Sequence, residues 1–172
     1  MNSITQFQPM QAIQAIEYSK LALPRQQAQT LPLGEYMLQA LAAVGGSENT
    51  KRSYRRGWSD FLAFLGSWWG VDLATETKEP REDGKLMRTV WAYAGDTRIF
   101  AMIEPSLRNA FDQALQATGL EGNSRGQRLN SVNTLLSIAY RDGYITDDQA
   151  RRLSVKAYKR RQKRDVKPVG RR

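Results

Sequence analysis

The stretch from Ser47 to Gly70 restricts the fold more than any other part of the chain. Tyr54, Trp58, Phe61, Leu62, Leu65 and the Trp68–Trp69 pair recur at three- and four-residue steps, the repeat of one helix face. Ser47 supplies a hydroxyl to cap the start, and Gly70 ends the run. A long helix with a continuous apolar stripe must pack that stripe against other elements. Lys51, Arg52, Arg55 and Arg56 fall beside and opposite the stripe, all within the first two turns. One face therefore enters a core while the other presents cations.

Elsewhere the pattern is also helical. Leu33, Tyr36, Met37, Leu41 and Val44 predict a helix closed by Gly45-Gly46. Thr75 to Gly84 is polar, contains Pro80 and Gly84, and reads as an exposed loop. Leu86 to Ala94 is expected to form a short helix using Leu86, Val90 and Tyr93. Ile99 to Thr118 continues the pattern with Phe100, Ile103, Leu107, Phe111 and Leu115, and Pro105 predicts a break near Ile103. A helix from about Ser124 to Arg141 points Leu129, Val132, Leu135, Leu136 and Ala139 inward, and Asp142-Gly143 stops it. Thr146 or Asp147 caps a last short helix holding Ala150 and Leu153. No strand is expected. The predicted fold class is all-α, an orthogonal bundle of about five helices over residues 31–155. A Gln-rich extension (1–30) precedes it and a basic tail (156–172) follows.

Two missing residue types narrow the chemistry. Without histidine there is no imidazole acid–base catalysis and no Ser-His or Cys-His nucleophile pair. Without cysteine there is neither disulfide nor thiolate, which fits a reducing cytoplasm. The acidic residues show no spacing suited to a metal, so no metal, cofactor, small-molecule substrate or catalysis is expected. No apolar run approaches a membrane span and residues 1–10 lack a secretory pattern, so no membrane partner is expected either. The four Trp read as core rather than as stacking platforms for single strands.

The charge is lopsided. Residues 151–172 hold eleven Lys or Arg against a single acid, Asp165, a net of +10, whereas the first 150 residues sum to −1. That asymmetry points to a polyanionic partner; a solvated tail is the bland alternative. Ser47, Asn49, Thr50, Lys51, Arg52, Arg55 and Arg56 open one helix with hydroxyls and guanidinium groups, and a helix start offers free amides to phosphate. Ser124, Arg125, Gln127 and Arg128 open another in the same style, where Arg suits guanine and Gln suits adenine. Capping and a solvated charged face would explain either opening equally well. The tail adds Lys156, Lys159, Arg160, Arg161, Lys163 and Arg164. Tyr158, set among these cations, suits a hydrophobic anchor or a base- or sugar-packing residue better than a nucleophile, because nothing nearby assembles the charge-stabilising site that strand cleavage needs.

Ser47-x-Asn49-Thr50-x-Arg52-x-Tyr54, then Trp58 and Asp60-Phe61-Leu62-Ala63-Phe64, resembles the opening helix pair of the core-binding (SAM-like) domain of tyrosine recombinases, the phage integrase family. Gly119-Leu120, Ser124, Arg128-Leu129, Asn133, Leu135 and Arg141-Asp142-Gly143 are similar to that domain's last major helix. The similarity spans about residues 31–165. It implies duplex DNA binding at recombination half-sites, with Thr50, Lys51, Arg52, Arg55, Arg56, Ser124, Arg125, Gln127 and Arg128 facing DNA. Lys156 to Lys167 would be the linker towards a catalytic half whose Arg, Lys, His and Tyr set these 172 residues cannot supply. Self-association on DNA is a further implication. A helical protein adaptor with a solubilising tail is the alternative; a helix-turn-helix regulator fits less well, since no helix pair is joined by a three- to four-residue turn.

Overall fold

The computed structural model describes residues 28–159. In them run α1 (Leu33–Val44), α2 (Glu48–Trp69), β1 (Ala74–Pro80), β2 (Met87–Tyr93), a 3-10 helix (Thr97–Met102), α3 (Pro105–Ala117), α4 (Gly122–Arg141) and α5 (Asp147–Leu153). The helix ends follow local chemistry. Ser47 Oγ accepts from Thr50 N at 3.2 Å, so the start of α2 is capped by a side chain. Gly70 takes φ 70°, the left-handed geometry that lets α2 stop without a Cβ clash. Pro105 sits in the first turn of α3, where its missing N–H costs nothing, and the preceding 3-10 helix ends at Met102. Thr146, of the two candidates, caps α5 by accepting from Gln149 N at 3.2 Å.

The core forms where α1, α2, α3 and α4 meet. Trp58, Phe61, Leu62 and Leu65 of α2 are buried against Val132, Leu135, Leu136 and Ala139 of α4. At the crossing, Gly57 lies so close to Ser131 that a Cβ there would strike the Ser131 hydroxyl. Trp58 Nε1 donates to Ser131 O at 2.6 Å, which satisfies the indole inside the core. Phe111 of α3 packs edge-on to Phe61, ring centroids 5.1 Å apart, and lies 5.4 Å from Phe64. Tyr36 of α1 meets Phe100 and Tyr144 edge to face and donates to Asp142 Oδ2 at 3.0 Å. Gln149 is buried, and its amide donates to Phe100 O and Ile103 O, tying α5 to the 3-10 helix.

The all-α expectation is overturned. Thr75–Gly84 is not a plain loop and Leu86–Ala94 is not a helix; the two segments pair as an antiparallel ribbon, Ala74 opposite Tyr93 through Pro80 opposite Met87. Three features drive it. Asp83-Gly84 forms the bend, with Gly84 at φ 65° and Lys85 N donating to Asp83 Oδ1 at 3.1 Å. Thr89-Val90-Trp91-Ala92-Tyr93 is rich in β-branched and aromatic residues. Arg88 and Glu79 are cross-strand partners, joined at 3.2 Å. The base of the ribbon is fixed by Ala94 N to Leu73 O at 3.0 Å and by Tyr93 Oη to Ser59 Oγ at 2.6 Å. Beyond that base nearly every residue of β1 is exposed.

The folded unit begins slightly before residue 31. Tyr144 Oη donates to Gln29 O at 2.7 Å, and Leu31 N donates to Thr97 Oγ1 at 3.2 Å. The remainder of the N-terminal extension, residues 1–27, lies outside the described residues, as do residues 160–172.

Candidate nucleic-acid interface

The start of α2 keeps most of its candidate residues at the surface. Asn49, Thr50, Arg52, Arg55 and Arg56 are exposed, while the opposite side of the helix, from Gly57 to Ser59 and at Phe61 and Leu62, is buried. Asn49, Arg52 and Arg56 follow one another at three and four residues, which puts them on one stripe of the surface. Arg52, Arg55 and Arg56 make no salt bridge among the described residues. Lys51 differs, because its ammonium is held by Glu48 at 3.0 Å. Ser47 and Thr50 spend their hydroxyls on each other, 3.0 Å apart.

The opening of α4 departs from the expectation. The helix starts at Gly122 with Glu121 in the cap position and no side-chain cap bond, so Ser124 lies inside the first turn rather than capping it. Arg125 lies 3.3 Å from Asp112 of α3, and Arg128 lies 3.0 Å from Asp60 of α2. The Arg128 side chain is only 15% exposed, so it packs in the helix crossing and does not face a ligand. Gln127 and Asn130 remain exposed. Arg128 meets Asp60, and Arg125 meets the neighbour of Phe111, which itself packs on Phe61 and Phe64. The α4 start therefore lies beside the middle of α2, where Arg128 also feels the charge of Arg56.

Electrostatics at the crossing carry the mark of burial. Desolvation raises the Asp60 carboxyl above its ordinary range, against the pull of Arg128 and Arg56, and Glu76 adds to the rise. Desolvation likewise lowers the Arg128 guanidinium, ahead of the opposing attraction of Asp60. Both partners thus bear a burial cost that their mutual attraction does not fully offset.

Of the basic tail, Lys156 and Lys159 are described, and both are exposed. The chain here runs back along α4: Tyr158 N donates to Ser137 O at 3.1 Å, and the Arg141 guanidinium stands 5.8 Å from the Tyr158 ring centre. Tyr158 is half-buried, the packing anchor expected of it. Arg160, Arg161, Lys163 and Arg164 lie outside the described residues.

The sequence reading missed the ribbon's part in the site. Its inner face carries Glu76, Thr89, Trp91 and Met87, and it stands opposite the arginines of α2 across an open groove of about 760 Å³. Arg52, Arg55, Arg56, Arg81 and Arg88 line that groove together with Glu76, Glu82 and Asp83. The available signals were Asp83-Gly84 and the Thr-Val-Trp-Ala-Tyr run after it. The Trp reading also needs amendment: Trp58 is fully buried and Trp69 and Trp91 are partly buried, but Trp68 is 60% exposed beside Phe64.

No family model, curated protein or solved structure matches this chain. What the site can do is therefore read from its own chemistry. Among the described residues no group of His, Cys, Asp and Glu could hold a metal ion, and no helix is long and apolar enough to cross a membrane. A row of guanidinium groups that form no salt bridge among the described residues, on a helix whose other side is fixed in a core, is suited to phosphate contact.

Proposed function

We propose that this chain binds duplex DNA through the first half of α2, assisted by its basic C-terminal segment, and does so without catalysis of its own. The observation that carries the reading is the exposed, salt-bridge-free set Arg52, Arg55 and Arg56 on a firmly anchored helix. Arg125 and Arg128 are paired with carboxylates at 3.3 and 3.0 Å, whereas these three form no salt bridge among the described residues, Arg56 acting on Asp60 only from a longer range. The narrower reading, the core-binding half of a tyrosine recombinase acting at half-sites and self-associating there, is supported by the motif from Ser47 to Phe64. It assigns the chain to cytoplasmic DNA. Because Arg125 and Arg128 of the α4 opening are held by carboxylates, the expected contact surface shifts towards α2 and the ribbon.

Fluorescence anisotropy with a labelled duplex across a salt series tests the reading. With about five phosphates contacted, log affinity falls against log salt with a slope of roughly −4 to −5. Replacing Arg52 and Arg56 by Gln lowers the steepness by about 2 and leaves the unfolding curve in place, since neither side chain is packed. A flat salt response of the wild-type protein refutes duplex binding.

A further inference from the structure

The two edges of the ribbon differ. β2 runs on into residues 95–97, whose outer side is taken by the segment before α1: Leu33 N donates to Gly95 O and Thr97 N to Leu31 O, each at 3.0 Å. The β1 edge is open. Residues 75–80 are exposed, and among the described residues no backbone hydrogen bond from outside the ribbon reaches them. Their outward N–H and C=O groups form a template for a further strand, and two strands by themselves are marginally stable in water. Lysine and proline blunt such an edge against general pairing, and β1 carries both, as Lys78 and Pro80. Its charges nevertheless fit one particular strand, which is β1 itself.

We propose that the open edge of β1 is an interface between two copies of this chain, paired antiparallel about a two-fold axis through Thr77. In that register Glu76 faces Lys78 of the second copy and Lys78 faces its Glu76, so one contact makes two opposite-charge pairs. Thr77 faces its own copy and Thr75 faces Glu79. Ala74 faces Pro80 at the end of the strand, where the missing N–H matters least. Moving the axis by one residue sets Glu76 against Glu76 or Lys78 against Lys78, so charge fixes the register. Lys78 forms no salt bridge among the described residues, Glu76 accepts a long 3.4 Å bond from Thr89 Oγ1, and Glu79 keeps its bond to Arg88. Glu76 and Lys78 share one face of the strand, so both pairs lie on the same side of a four-stranded sheet. The charge pattern that opposes unrelated strands thus admits a second copy. This edge gives a surface to the self-association in the narrower reading above, and it needs no DNA.

Sedimentation velocity of the full chain without DNA tests the interface. A contact of this size is weak, so the wild type should pass from one copy to two between about 1 µM and about 200 µM. Glu76→Lys alone and Lys78→Glu alone each set like charges face to face twice, and each should raise the midpoint by about tenfold or more. Mixed in equal amounts, the two variants bring opposite charges together at both positions, and pairing should return to within about threefold of wild type. Both side chains are exposed, so each variant keeps the wild-type unfolding curve. A wild type that stays single across the range overturns the interface. So do single variants that pair like wild type, or a mixture that pairs no better than its components. Pairing that appears only once duplex is added places the copies together through DNA and overturns it equally. Duplex affinity is measured separately, so a failed edge contact leaves the duplex reading standing, and a flat salt response leaves the edge contact standing.

Discussion

Gly57→Ala sets two effects of opposite sign against each other. In a solvated helix the change is favourable by about 1 kcal/mol, because alanine restricts the unfolded chain and glycine does not. At the α2–α4 crossing the added methyl group meets the Ser131 hydroxyl directly, 3.0 Å from Ser131 Cβ and 3.6 Å from Arg128 Cδ. The hydroxyl can rotate away only by giving up its 2.7 Å bond to Arg128 O, a loss of about 1 kcal/mol. Ser131 Cβ has no such freedom, and α4 cannot retreat alone while Trp58 Nε1 holds Ser131 O at 2.6 Å. Forcing the helices apart costs roughly 2 kcal/mol, within the usual range for overpacking. The net expectation is destabilisation by about 2 kcal/mol, or a Tm lower by roughly 6 °C for a domain of this size. Thermal melts followed by circular dichroism give the answer. In a Ser131→Gly background most of the obstruction is gone, and the same Gly57→Ala change should turn neutral or stabilising. A Tm that rises or stays level on the wild-type background refutes the close crossing.

The Asp60–Arg128 pair, at 3.0 Å, should behave as a partly buried charge pair: Asp60→Leu or Arg128→Met alone costs about 2 kcal/mol, whereas the double replacement restores most of it, read by urea unfolding. Additive losses in the double variant would show that the pair is not a closed unit. Because burial raises the Asp60 carboxyl, its protonated form is favoured in the folded state. The stability this group contributes is present below its unfolded value of about 4 and lost as pH rises through the raised one. The stability of Asp60→Asn relative to wild type should therefore climb from about pH 4 upwards and then level off; a flat or falling difference contradicts the burial argument. Tyr158→Ala should leave the melting curve within about 1 kcal/mol of wild type yet weaken duplex binding, because the basic segment loses its hold beside Arg141. Unchanged affinity would separate the tail from the site.

The parts of the molecule legible in the sequence share one property: their cause lies within a few residues. Ser47 caps α2, Pro105 starts α3, Thr146 caps α5, and the three- and four-residue steps of Trp58, Phe61, Leu62 and Leu65 name the face that is buried. The exposure of Arg52, Arg55 and Arg56 follows from that same face, since whatever is opposite a buried stripe is left outside. The ribbon was illegible because burial, the source of any strand alternation, is nearly absent from β1. The four-residue step from Leu86 to Val90 is also even, so it fits one face of a strand as well as one face of a helix.

The sequence alone was enough for α1 to α5, most of their inward faces and the concentration of positive charge near the C-terminal end, but it also placed at Leu86–Ala94 a helix that is a strand. Tertiary structure alone decided which cations are spoken for. Arg128 and Arg52 look alike in sequence, each near the start of an amphipathic helix, but Arg128 finds Asp60 across a helix crossing and Arg52 finds no carboxylate. It also decided that residues 74–93 form a ribbon facing the arginines at the start of α2. The physical reason is range: helix propensity and capping act within a turn, whereas the partner of a guanidinium is set by where the packed chain happens to bring a distant carboxylate.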